Sequence, residues 1–159
     1  MSVLRRLSDW RKELLPSLSP RTLQTNYLPL CGAVSHTFFT VHIFTPQLLA
    51  RAFPKCDLAV SNTLLLTSHL GIGFYVYHRP HLNHLPPWTR VEYSVFASLI
   101  FNFGSLLLTV LVRTLFPQQT SAFLKMIFGI ALSGFVLSRG HKYMSHIDSR
   151  TGPAIDKTS

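Results

Sequence analysis

Charge is the scarcest thing in this chain. Asp, Glu, Lys and Arg make up 13% of its 159 residues, about half the share of an ordinary soluble domain. No charged residue falls between Arg21 and Arg51, between Asp57 and Arg79, or between Glu92 and Arg113. These gaps hold 29, 21 and 20 residues, and a helix needs about 20 apolar residues to cross the hydrocarbon core of a bilayer. Three such gaps in so short a chain, with a mean hydropathy of +0.27, exclude an ordinary soluble fold and predict a polytopic membrane protein.

Acidic residues are the rarer sign, six in all, and none lies in the interior of a predicted span. That leaves little from which to build general acid–base chemistry. Gly-x-Ser-x-Gly, His-Glu-x-x-His and a phosphate-binding glycine loop are also absent. Catalytic residues are therefore not expected, and a membrane-embedded enzyme ranks third among the readings of the chain. Of the two cysteines, Cys31 falls inside the first predicted span and Cys56 in the loop after it, so a disulfide would have to bring the two ends of one helix together. They are expected as free thiols, which suits an intracellular membrane. There is no Asn-x-Ser/Thr sequon, no internal repeat and no low-complexity tract.

What is present is a pattern of apolar runs. Residues 28–47, 58–77 and 92–114 read as three spans. A fourth, 120–138, carries Lys125 within about a turn and a half of its start, where the amine can snorkel to the interface; a re-entrant segment is the rival. The expected fold is all-α, a bundle of four transmembrane helices preceded by an N-terminal amphipathic helix. Val3, Leu4, Leu7, Trp10 and Leu14 oppose Arg5, Arg6, Asp9, Lys12 and Glu13, as an interfacial helix requires. The alternative, a mitochondrial presequence, is opposed by Asp9 and Glu13. The chain thus divides into an amphipathic segment and linker (1–26), a transmembrane domain (27–146) and a flexible tail (147–159).

With four spans the termini and the middle loop share a side, and that side holds eleven of the fifteen Lys and Arg residues. The positive-inside rule then places both termini in the cytosol or the mitochondrial matrix. The net charge of +9 is read as facing an anionic inner leaflet, not nucleic acid. Mitochondrial inner membrane and endoplasmic reticulum both fit.

Polar residues in a membrane helix mark the face turned away from lipid. At about 100° per residue, Ser94, Ser98, Asn102, Ser105 and Thr109 share one narrow sector of the third span. Cys31, Ser35, His42 and Thr45 do so in the first, and Asn62, His69 and Gly73 in the second. In the fourth, Gly129 and Ser133 form a notch. His36, His69 and Asn102 each lie near mid-span, which makes them the candidate cofactor-binding residues. Asn102 is expected to pair with His69 or with a backbone carbonyl. The histidines at 78, 81 and 84 follow the second span among Pro80, Pro86 and Pro87. Without a thiol or carboxylate in the cluster they read as a basic interfacial loop, not a metal site.

The leading functional expectation is a subunit, assembly factor or scaffold of a membrane complex, with no cofactor and with other membrane subunits as partners. The alternative is a small-solute carrier, or a haem- or quinone-holding anchor that uses the intramembrane histidines.

Overall fold

The computed structural model describes residues 19–117 and 119–151. Every regular element among them is helical. The amphipathic helix expected over residues 1–15 lies outside the described residues, as does the chain beyond Thr151.

Helix α1 runs Pro20–Phe44 and widens to a π turn at Leu23–Tyr27. The cause is local: Pro29 has no N–H for the Thr25 carbonyl, and its ring crowds that turn. The chain bends by 104° at Thr45 into the short α2, Pro46–Ala52. Helix α3 is Asp57–Tyr77, a 3-10 turn follows at Pro80–Leu82, and α4 is Pro87–Thr114. The fixed φ of Pro87 suits the first helical position, where no N–H is needed. Helix α5 is Ala122–Thr151, and the Ser121 hydroxyl accepts the Leu124 N–H at 3.3 Å.

The expected spans meet these helices closely at 58–77 and with shifted ends elsewhere. Helix α1 stops at Phe44, α4 starts at Pro87, and α5 continues to Thr151. That last extension takes in residues 147–151, the first part of the expected tail. Two helices, α4 and α5, are long and apolar enough to cross a bilayer, or three if α1 and α2 count as one bent span. The chain is a membrane protein of the helical class.

Helix α1 packs along α3 on one side and against α5 on another, while α4 lies mainly on α3. The α1–α3 crossing is set by two glycines. A Cβ on Gly32 would lie 2.5 Å from the Gly71 Cα, and one on Gly71 would lie 2.7 Å from the Leu28 carbonyl oxygen. The backbones therefore touch, an approach that only small residues allow. On α5, Gly129 receives Val41 and Phe44 of α1, as the expected Gly129/Ser133 notch requires. The Phe44 ring meets those of Phe116 and Phe128, each at 5.7 Å between centroids.

The interior is inverted relative to a soluble domain. Buried apolar side chains among the described residues are Phe44, Val76 and Leu82, whereas twelve serine, threonine, asparagine and histidine side chains are buried. The exposed positions are taken by leucine, phenylalanine, isoleucine and valine. Water would drive those large side chains inward; a bilayer leaves them outside.

Candidate functional site

The five polar positions of α4 are its buried face. Ser94, Ser98, Asn102, Ser105 and Thr109 are the residues of that helix that are buried, as their common sector predicts. Four of the five turn a hydroxyl or amide hydrogen back to the helix's own carbonyls, so they need little from their neighbours: Ser94 donates to Arg90, Asn102 to Ser98, Ser105 to Asn102 and Thr109 to Ser105. Ser98 donates instead across the interface, to the His69 carbonyl at 2.7 Å.

Asn102, 2% exposed, has a partner at both ends of its amide. Its Oδ1 accepts the Ser68 hydroxyl at 2.6 Å and its Nδ2 donates to the Ser98 carbonyl at 2.9 Å. The expected backbone carbonyl is found. The cross-helix partner is Ser68, one residue before His69, and that single step is a turn of about 100° around α3. Ser61 precedes Asn62 by the same step. The packing face of α3 carries Ser61, Ser68 and Gly71, while the expected line of Asn62, His69 and Gly73 borders an open groove beside α4.

His36 lies where α1, α4 and α5 meet. Its Nε2 is 2.9 Å from Ser105 Oγ and its Nδ1 2.8 Å from Ser133 Oγ. Because Ser105 spends its hydrogen on the Asn102 carbonyl, it accepts from His36, so Nε2 carries the proton of the neutral ring. Nδ1 then accepts from Ser133. Ser133 in turn lies 3.0 Å from Thr37 Oγ1, and Phe101 covers the imidazole at 5.6 Å between centroids. On α1 the buried face is Gly32, Ser35, His36, Thr40 and Phe44, whereas Cys31 is exposed. The expected sector of Cys31, Ser35, His42 and Thr45 is therefore only half right. Helix α1 is covered on two sides, and a single polar stripe cannot describe two contacts.

His69 is arranged differently. Nδ1 is 2.8 Å from the Leu65 carbonyl, which can only accept, so Nδ1 holds the proton. Nε2 of the neutral ring is left as a bare lone pair. It is one of three buried side-chain nitrogens among the described residues without a hydrogen-bond partner, with His42 Nδ1 and Arg79 Nε. The candidate trio thus separates: His36 and Asn102 belong to one hydrogen-bonded seam, with Ser105 joining them, and His69 faces elsewhere.

The histidine loop forms a second polar centre. His81 Nδ1 and Arg79 Nη2 each lie 2.6 Å from the Asp148 carboxylate, one oxygen apiece. The His81 backbone N–H also donates to Asp148 at 3.2 Å, and Arg79 donates to Ser145 at 3.1 Å. Nearby, Tyr75 and His141 meet at 2.8 Å. His78 turns back to the Phe74 carbonyl. No group of three His, Cys, Asp or Glu side chains among the described residues is placed to hold a metal ion. The carboxylate that the loop lacks in sequence arrives from α5, 67 residues away. No family model matches the chain, and neither curated proteins nor solved structures give a significant match.

Proposed function

We propose that the chain is a four-span integral membrane protein that works by association, as a subunit, assembly factor or scaffold of a membrane complex. The observation that carries this reading is the inverted interior. Inside, most buried polar side chains donate to backbone carbonyls, and His36, Ser68, Asn102, Ser105 and Ser133 also bond one another across helices. Outside, the long helices offer mainly leucine, phenylalanine, isoleucine and valine, a surface that recognises lipid and other helices by packing.

Helices α1 and α3 have about the 20 residues a crossing needs and pack against the two longer helices, which supports four crossings with the termini on one side. Exposed Trp88 and Tyr93 at the start of α4 suit an interfacial belt. Eleven of the fifteen basic residues lie on that side, so it faces the cytosol or the matrix. An anionic leaflet of the mitochondrial inner membrane or the endoplasmic reticulum suits that charge.

The test is crosslinking in native membranes followed by purification in mild detergent. Stoichiometric partners, in a particle well above the 18.0 kDa of one chain, are the expected result. A chain that crosslinks to nothing and emerges as a lone monomer overturns the reading. Epitope tags at Ser2 and Ser159, with protease added to sealed vesicles, should share one fate; opposite fates require an odd number of crossings.

A second reading, a protein that holds a small apolar molecule, is favoured by the groove at His69. His36 does not contribute to it, since both its ring nitrogens are taken by serines.

A further inference from the structure

The groove between α3 and α4 has a volume of about 920 Å³, at the upper end of the roughly 300–1,000 Å³ usual for small-molecule sites. Its walls are Leu66, Leu70 and Phe74 from α3 and Val91, Val95 and Leu99 from α4. Along α3 it reaches from Asn62 to His78, roughly 24 Å at about 1.5 Å per residue. His69 lines it near the middle of that length.

An apolar groove of this shape would accept any hydrocarbon chain, but His69 narrows the choice. The Leu65 carbonyl fixes its tautomer, and Nε2 is a buried acceptor with no donor. Nε2 is covered as it stands, so a donor in the groove reaches it only when a neighbouring side chain moves; Phe103 lies edge-on to the ring at 5.4 Å between centroids and is 53% exposed. Mid-groove is also too deep for a charged headgroup, which stays at the interface. A phospholipid could lay an acyl tail here but could not bring a donor to Nε2.

We infer that the groove binds a neutral lipid alcohol, a molecule with a long apolar body and one hydroxyl, whose O–H donates to His69 Nε2. The inference rests on the second functional reading, that the protein holds a small apolar molecule.

The test uses purified full-length protein in nanodiscs with two photoreactive, alkyne-tagged probes: a C16 alcohol and its O-methyl ether. Labelling is read by mass spectrometry on the peptides of α3 and α4. One lost hydrogen bond is worth about fivefold in occupancy. The alcohol should therefore label the groove about five times more than the ether. His69→Phe, which keeps a ring but loses the acceptor, should bring the two probes level. Gly73→Leu is the second variant: Gly73 lines the groove and a Cβ there meets only Ser98 Cβ, at an ordinary 3.9 Å, so in protein whose melting temperature is unchanged the added side chain should take up groove volume and both probes should fall. Equal labelling of wild type by alcohol and ether overturns recognition by His69 while leaving a lipid groove. Absence of labelling by either probe overturns the holding function itself.

Discussion

Within the helix bundle, α1, α4 and α5 are joined by the His36 imidazole between two serine hydroxyls. At the loop end, α5 is joined to the α3–α4 connection by the Asp148 carboxylate between a guanidinium and an imidazole. The geometry is alike, one group bridging two partners, and the chemistry differs. Neutral hydroxyl and amide groups are tolerated in hydrocarbon when paired, and their partners are small enough to let helices approach. Charges are costly there and are kept near an interface, where Arg79, His81 and Asp148 retain about 15% side-chain exposure. Neutral hydrogen bonds thus join the helices where they are fully buried, and charged ones where some exposure remains.

The largest effect is expected at the glycine crossing. Gly71→Leu places a side chain into the Gly32 and Leu28 backbone, and overpacking against backbone costs about 3 kcal/mol or more. The expected outcome is loss of folded protein, read as the melting temperature in detergent. Gly104→Ala, with nothing within 4 Å of the added atom, should leave that temperature unchanged. A tolerated Gly71→Leu would mean that α1 and α3 do not meet there.

The next largest effect is expected at the loop end. Asp148→Ala leaves Arg79 and His81 without their carboxylate. A part-buried pair lies between exposed pairs, near 0.5 kcal/mol, and buried ones broken on one side, at about 3–5 kcal/mol; a loss of about 2 kcal/mol follows. Hydrogen exchange should rise in residues 78–86 and stay low in the seam. Because the two regions differ in charge, raising the salt concentration should weaken the first and spare the second. Equal salt sensitivity would dissolve the distinction.

Much of the seam is readable from sequence because it repeats. Five polar residues at spacings of three and four on α4 define a face without knowledge of any neighbour, and those five are the buried ones. On α3 the same logic favours the more polar Asn62 and His69 over Ser61 and Ser68 and so turns the helix by one residue. Large polar side chains can line a groove, whereas close packing selects small ones. The Gly32–Gly71 contact leaves no hydropathy signal, since glycine is neither polar nor apolar enough to stand out. The link from Arg79 and His81 to Asp148 joins segments 67 or more residues apart, and no local pattern encodes it. The end of α5 was hidden for another reason. Hydropathy reports where a helix leaves hydrocarbon, and the backbone stays helical past Arg139 and Lys142 to Thr151.

A smaller effect is expected at His36. His36→Leu removes two cross-helix bonds, but Ser105 still donates to the Asn102 carbonyl and Ser133 still meets Thr37. At about 0.6 kcal/mol per interhelical bond in membranes, the loss should be about 1 kcal/mol. Thermal melts in detergent would read it. A cost as large as that of Asp148→Ala would show that the imidazole carries more than its two bonds.

The smallest effect is the most specific. Asn102→Leu removes the acceptor of the Ser68 hydroxyl and the donor to the Ser98 carbonyl. Neither partner is stranded, since the serine can turn to a carbonyl of its own helix and the Ser98 carbonyl keeps its place in the helical ladder. The cost should be about 1 kcal/mol, partly offset by the greater affinity of leucine for an apolar interior. Leu107 is the control on the opposite face, 61% exposed. In a bilayer Leu107→Ala exchanges lipid contact for lipid contact and should change the melting temperature by less than Asn102→Leu. The reverse order, with Leu107 sensitive and Asn102 silent, would mean that a partner subunit covers the Leu107 face in the native complex. That result would move the centre of interest from the seam to the surface of α4.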